Sequence, residues 1–132
     1  MLFAYQRTVR LADTDAARVV YFASVLVMCH EAYEESLAAE GINWHDLVTD
    51  AEIAIPIVHS SVDFFRPMFC GDKILIELQP IQLSESEFEI NYQIFNVSSQ
   101  KKLAKAITRH ACINPTNRSR IEIPARIRKW LI

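Results

Sequence analysis

Two hydrophobic periodicities divide this chain. From Phe3 to Leu11, the apolar and aromatic positions Phe3, Tyr5, Val9 and Leu11 are interleaved with Gln6, Arg7, Thr8 and Arg10. That alternation predicts a first strand with one wet face. From Ala23 to Glu40 the period becomes helical. Leu26, Cys29, Tyr33 and Leu37 fall at i, i+3, i+7 and i+11, and Val25, Ala32 and Ser36 widen the stripe. His30, Glu31, Glu34 and Glu35 lie largely outside it. So broad a stripe predicts a helix packed on a sheet, and Gly41 suits the left-handed position just past a helix end.

Gly41 to Asp50 reads as a loop or short helical turn carrying Trp44 and His45. Beyond it the pattern is almost entirely β. Strands are predicted over Ile53–Phe65, Lys73–Gln82, Phe88–Val97 and Leu103–Ile113. Pro56 stands near the start of the first of these, where a missing N–H is tolerated. Breaks fall at Arg66–Asp72, Ser84–Ser86, Ser98–Lys102 and Asn114-Pro115. The order is one strand, one long helix, then strands joined by short turns. This predicts an α+β fold with one helix on one face of an antiparallel sheet. One helix leaves part of such a sheet uncovered, so an exposed face or edge is expected to meet another subunit.

The 132 residues suffice for one domain, taken as 1–132, and 51% hydrophobic content excludes a disordered chain. A net charge of −2 gives no global attraction to nucleic acid. No apolar run is long enough to span a bilayer, and Met1–Arg7 lacks the basic-then-apolar order of a signal peptide. Cys29, Cys70 and Cys112 are widely spaced with no CxxC, which fits a reducing, cytoplasmic setting. The basic residues are uneven: Arg118, Arg120, Arg126, Arg128 and Lys129 face a single acid, Glu122, after Pro115. Such a tail is either a solvated end or a holder of an anion such as a phosphate.

The candidate chemistry lies in Asp13-Thr14-Asp15, between the first strand and the helix. A carboxylate just ahead of a helix lies near unpaired N–H groups and the positive end of the helix dipole. That is a place to attack or hydrate a polarised carbonyl; an Asp there also commonly serves as an N-cap. His30-Glu31-Ala32-Tyr33-Glu34 is not HExxH, so no metal site is expected. Cys29 and His30 point to different sides of the helix and make a poor nucleophile–base pair. His59 and Asp63 share one face of a strand, either as a pocket pair or as a structural hydrogen bond. Trp44, His45, Phe64 and Phe69 are candidates for an aryl pocket or for the core.

The strand ending in Asp13-Thr14-Asp15, the Val19-Val20-Tyr21-Phe22 segment, the long helix and the Phe65-Arg66-Pro67…Gly71-Asp72 turn resemble the hotdog-fold thioesterases of the 4-hydroxybenzoyl-CoA thioesterase type. The resemblance covers nearly the whole chain. Over Val27–Glu34, Ala54–His59 and Val62–Phe64 it is to the cyanobacterial 1,4-dihydroxy-2-naphthoyl-CoA hydrolases of phylloquinone synthesis.

The resemblance implies an acyl-CoA thioesterase for an aromatic acyl group. Asp15 would be the nucleophile or general base, and a backbone N–H near Phe22 would point at the thioester oxygen. It implies no cofactor. It also implies homodimers with sites at their interface, paired into tetramers. Arg18 stands where the family usually has glycine. An arginine there is expected to remove the backbone latitude of glycine, and to keep Asp15 ionised, fill the pocket or bind an anionic group. His59, Asp63 and Phe64 are the expected acyl contacts. For the CoA phosphates, Arg66, Lys101, Lys102, Arg109, Arg118 and Arg120 are available, with Arg118 and Arg120 favoured because they follow the last strand. His110, beside Arg109, is a further interface candidate. A different hotdog branch uses a helix glutamate, whose counterpart would be Glu31. The alternatives are a broad short-chain acyl-CoA or acyl-carrier-protein thioesterase, and a non-catalytic hotdog binding protein.

Overall fold

The computed structural model describes residues 2–131. Strand β1 (Phe3–Thr8) leads through a 3-10 turn (Leu11–Asp13) and a loop into the 18-residue helix α1 (Phe22–Ala39). A short helix α2 (Trp44–Thr49) follows, then strands β2 (Ile57–Phe64), β3 (Lys73–Gln82), β4 (Glu87–Asn96) and β5 (Lys102–Ala111), and a terminal turn of helix α3 (Ala125–Arg128). The sheet order is β1-β3-β4-β5-β2, and every pair is antiparallel. The α+β arrangement expected from the pattern is the one observed.

Alternation along β3, β4 and β5 sets the core. Ile74, Ile76 and Leu78, then Phe88, Ile90, Tyr92 and Ile94, then Ala104, Ala106, Thr108 and His110 all face α1 and are buried. α1 answers with Val25, Met28, Cys29, Ala32, Tyr33, Ser36 and Leu37. Each large aliphatic side chain sealed there is worth about 1.5–3 kcal/mol. The buried stripe matches the sequence expectation at Val25, Cys29, Ala32, Tyr33, Ser36 and Leu37 and departs from it at one place: Met28 is wholly buried, whereas Leu26 is only partly covered. Cys29 is core, as expected, and burial pushes its thiol up to about 12. Gly41 ends the helix at a φ of 86°.

Three expectations shift. β1 stops at Thr8 rather than Leu11, because the Asp13 carboxylate accepts the Arg10 N–H (2.7 Å) and winds Leu11–Asp13 into a turn. The second strand begins at Ile57 rather than Ile53. Pro56 cannot donate to a ladder, and upstream only Ala54 bridges to Ile113. The basic tail is anchored: Ile123, Ile127 and Trp130 enter the core, and the Trp130 indole donates to the buried Ser36 hydroxyl at 2.6 Å. Its arginines point outward, and Arg126 pairs with Asp50 at 2.9 Å.

Only the helix-side face is sealed. The opposite face of β3–β5 carries Glu77, Gln79, Glu89, Asn91, Gln93, Lys105 and Arg109, none of them buried. Edge strand β2 is open along its length, with Ile57, Val58 and Phe64 each about half exposed. Among the described residues, no helix is long and apolar enough to cross a membrane.

His110 is the one buried histidine. It is 1% exposed, stacks on Phe88 (4.7 Å between centroids, 4° between planes), and its Nε2 lies 2.8 Å from the Thr108 hydroxyl, which in turn meets Tyr92. Burial, with a smaller contribution from His30, pushes its pKa down to about 4. Between pH 6.5 and 4 the unfolded chain therefore binds the proton and the folded chain does not. Stability is full above pH 6.5 and falls by about 3 kcal/mol on acidification to pH 4 from this group. Urea unfolding at stepped pH checks this. His110→Phe is expected to flatten the acid limb relative to the parent, and parallel curves would refute it.

Candidate active site

The connection from β1 to α1 is a tight hairpin rather than a loose loop. Thr14 bridges Val20, the Asp15 N–H donates to Val19 O (3.1 Å), and the Arg18 N–H returns to Asp15 O (2.9 Å). Arg18 itself sits at φ 68°. A turn closed by a left-handed residue is the usual three-residue hairpin geometry. The expectation that arginine removes the special backbone angle is therefore wrong: Arg18 adopts that angle, at a cost of about 1–2 kcal/mol.

The two aspartates divide their work. Asp13 is a loop anchor: its carboxylate accepts Arg7 Nη2 (3.0 Å) and the Arg10 N–H, while its carbonyl accepts the Tyr21 N–H (2.9 Å). Asp15 is exposed, and the only hydrogen bond to its carboxylate among the described residues runs from the Ala17 N–H to Oδ1 (2.8 Å). Oδ2 is free. Asp15 is not a helix cap, because Tyr21 holds the N-cap position without any side-chain bond. The Arg18 side chain points to solvent and makes no ion pair with Asp15.

α1 starts at Phe22. Ser24 N–H turns back to Tyr21 O, whereas the Phe22 and Ala23 N–H groups meet no acceptor among the described residues. These donors carry the positive end of an 18-residue helix. A carboxylate with a free oxygen and a pair of open backbone donors thus bracket Val19 and Val20. Those two valines line a cleft of about 310 Å³ with Val25, Phe64, Phe65, Arg66, Pro67 and Met68. The Val20 N–H to Met68 O bond (2.9 Å) ties the two walls together. The cleft is apolar with one guanidinium at its rim, and Arg66 Nη1 is steadied on Lys102 O (3.1 Å).

The other expected site residues are scattered within one chain. Phe64 lines this cleft. His59 and Asp63 lie on the sheet face away from α1, opposite Arg109 and Lys105, and Asp63 pairs with Lys105 (3.8 Å) rather than with His59. Arg109 holds Glu89 at 2.9 Å, and that hydrogen bond keeps the Glu89 carboxyl below its usual range. Arg118 and Arg120 follow the far end of β5, a strand's length from Lys102 and Arg66; Arg120 pairs with Glu87 (3.1 Å). Glu31 is engaged by Arg7 Nε (3.1 Å) and the Tyr5 hydroxyl (3.2 Å). Burial, then the Glu31 charge, pushes the Tyr5 phenol up, so it stays a donor. Burial likewise pushes the Cys112 thiol up to about 11, which with Cys29 removes both buried thiols as nucleophiles at neutral pH.

A second cleft of about 300 Å³ was only half legible in the sequence. Trp44 lines it, as the aryl-pocket reading allowed, but so do His30, Tyr33, Leu47, Val48 and Ile53–Ile55. The Trp44 ring meets Tyr33 edge-on at 5.7 Å, and its indole donates to Glu34 O. His45 and Phe69 are exposed and line neither cleft.

A family model described as the thioesterase-like superfamily matches residues 9–131. A 1,4-dihydroxy-2-naphthoyl-CoA hydrolase of Gloeothece citriformis is 56% identical over 131 residues, covering 98% of this chain and 92% of that protein. One from Nostoc punctiforme is also 56% identical, covering 99% and 87%. The crystal structure of a 1,4-dihydroxy-2-naphthoyl-CoA thioesterase from Synechocystis superimposes with a TM-score of 0.96 at 40% identity, over 99% of this chain and 96% of that one.

The strain at residue 18 is measurable. Arg18→Gly relieves the left-handed penalty and is expected to stabilise the fold by about 1 kcal/mol after glycine's extra unfolded-state freedom is counted. That corresponds to a rise of about 3–5 °C in Tm. A thermal melt that is unchanged or lowered contradicts the assignment.

Proposed function

The chain belongs to the thioesterase-like superfamily and has its hotdog fold, and from that premise we propose that it hydrolyses 1,4-dihydroxy-2-naphthoyl-CoA in the route to phylloquinone, with Asp15 as the catalytic carboxylate. What supports the assignment of chemistry is a carboxylate with a free oxygen on the short hairpin that leads into open N–H donors at the start of α1. Thioester hydrolysis needs a nucleophile or base and a group to hold the oxyanion. Asp15 supplies the first, either by attack on the carbonyl carbon to give a mixed anhydride that water then cleaves, freeing the acid and the carboxylate, or by taking a proton from the water that attacks. The Phe22 N–H supplies the second through the backbone, so the Phe22 side chain is not itself required. The thiolate of CoA leaves and is protonated by solvent. Neither a metal nor a nucleotide cofactor has a step to perform in this sequence.

The proposed assembly starts from a homodimer. β2 is an edge strand with free backbone groups and half-exposed apolar side chains, a surface that calls for a covering strand. Antiparallel pairing of β2 with its copy sets the Phe64 end of one strand against the Ile57 end of the other. The cleft lined by Val19, Val20 and Phe64 would then abut the partner's cleft lined by Trp44, Tyr33 and Ile55. One apolar pocket of two walls results, sized for a fused aromatic ring system, with the carboxylate at one end. His59 and Asp63 on β2 would lie at this seam. The same pairing carries the partner's Arg118 and Arg120 toward this end of the sheet, which is how they could serve the CoA phosphates beside Arg66. Two such dimers would pair as a tetramer. Three free cysteines, two of them buried, fit a cytoplasmic location.

Release of free thiol from a panel of aryl- and alkyl-CoA esters tests the reaction. The 1,4-dihydroxy-2-naphthoyl ester is expected to exceed short aliphatic esters by more than tenfold in kcat/KM, and a smaller margin favours a broad thioesterase. Asp15→Asn is expected to lower kcat by about three orders of magnitude or more with the oligomer unchanged; full retained activity would remove Asp15 from its role. The shared pocket has its own test. Asp15→Asn and Trp44→Ala homodimers are each expected to be impaired. After subunit exchange between them about a quarter of wild-type activity should return, because half the dimers then hold one intact site of two. No recovery after demonstrated exchange rules out a site built from both subunits.

A further inference from the structure

We propose that Arg7 is a positioning residue that sets the separation between the Asp15 carboxylate and the N–H groups opening α1; the catalytic half of this inference rests on the hydrolysis proposed above. Arg7 lies in β1, its side chain nine-tenths buried under α1. Its guanidinium is split between two carboxylates on different elements. Nη2 holds Asp13 at 3.0 Å and Nε holds Glu31 at 3.1 Å. The two contacts sit on either side of the reactive hairpin. Asp13 closes the base of the strand leading into Asp15, and its carbonyl also takes the Tyr21 N–H, at the N-cap of α1. Glu31 sits nine residues inside α1 from Phe22, about 13 Å along its axis, and is braced from the other side by Tyr5. One rigid planar cation therefore ties the outgoing arm of the hairpin and the body of the helix to the same strand.

Stability alone is a weak reason for such a triad. A buried charge cluster roughly breaks even against apolar side chains of similar volume. What a planar fork adds is fixed geometry, and the placement of a nucleophile against oxyanion donors loses rate on displacements of an ångström or less. Asp15 has no side-chain partner of its own to hold it, only the Ala17 N–H within the same hairpin. Its position relative to Phe22 is inherited from the base of the hairpin, which is what Arg7 clamps.

Arg7→Met keeps the apolar stem and removes the fork. In fully folded protein, held well below its Tm, it is expected to lower kcat about 10- to 100-fold with KM changed less than threefold. Arg7→Lys is expected to recover only part of that, since one ammonium cannot face both carboxylates with the same fork. A second readout needs no turnover: the Tyr21 amide should exchange with solvent at least tenfold faster in Arg7→Met, while amides from Ala32 to Leu37 are unchanged. A kcat within twofold of the parent overturns the proposal, as does unaltered exchange at Tyr21 or a uniform rise along α1. If the parent protein hydrolyses none of the aryl-CoA esters, the proposed function fails and the exchange comparison alone decides the role of Arg7.

Discussion

The passage from β1 into α1 governs this molecule. Asp13 stands at its base and accepts from Arg7 and from the Arg10 backbone, while its carbonyl receives the N–H of the residue that caps α1. These bonds place the helix N-terminus beside the strand that precedes it and pinch off the hairpin between them. Without them a seven-residue connection would have many conformations, and each would put the carboxylate and the helix donors at a different separation. Catalysis by preorganised donors tolerates no such spread.

The second governing feature is one-sided cover. A single 18-residue helix seals the middle of one sheet face, and α3 with Trp130 extends the seal at the far end. β2 is left with its edge open and its apolar side chains half exposed. The two clefts differ in their walls: one has Val19 and Val20 of the hairpin and an otherwise apolar lining, the other a set of aromatic rings around Trp44 and Tyr33.

The buried polar groups mark where the fold is exacting. His110 is held neutral between Phe88 and Tyr33 and hydrogen-bonded to Thr108, on a sheet face whose buried side chains are mostly aliphatic. Arg7 is the charged counterpart on the other side of the sheet's covered face, held through Nη2 and Nε by two carboxylates drawn from different elements. Arg18 records the opposite economy: an exposed residue carrying a left-handed backbone where glycine would carry it without strain.

Local pattern was enough to reveal the α+β class, α1, and strands β3, β4 and β5 to within a residue or two, because alternation and helical spacing are properties of neighbours in the chain. It also drew attention to Asp13-Thr14-Asp15 and the helix start, since carboxylates just ahead of a long helix have a local signature; the preference for Asp15 over Asp13 came from the family resemblance. Tertiary contacts decided the rest. Met28 rather than Leu26 became core because the rotation of α1 is set by the sheet it lies on. The basic tail was anchored because Ile127 and Trp130 found a gap that only the assembled core presents. The separate tasks of Asp13 and Asp15 followed from Arg7, six residues upstream of Asp13, and from Tyr21, eight residues downstream of it. The reason is the same in each case: periodicity constrains which face a residue occupies, whereas its partner across space depends on how the elements are docked.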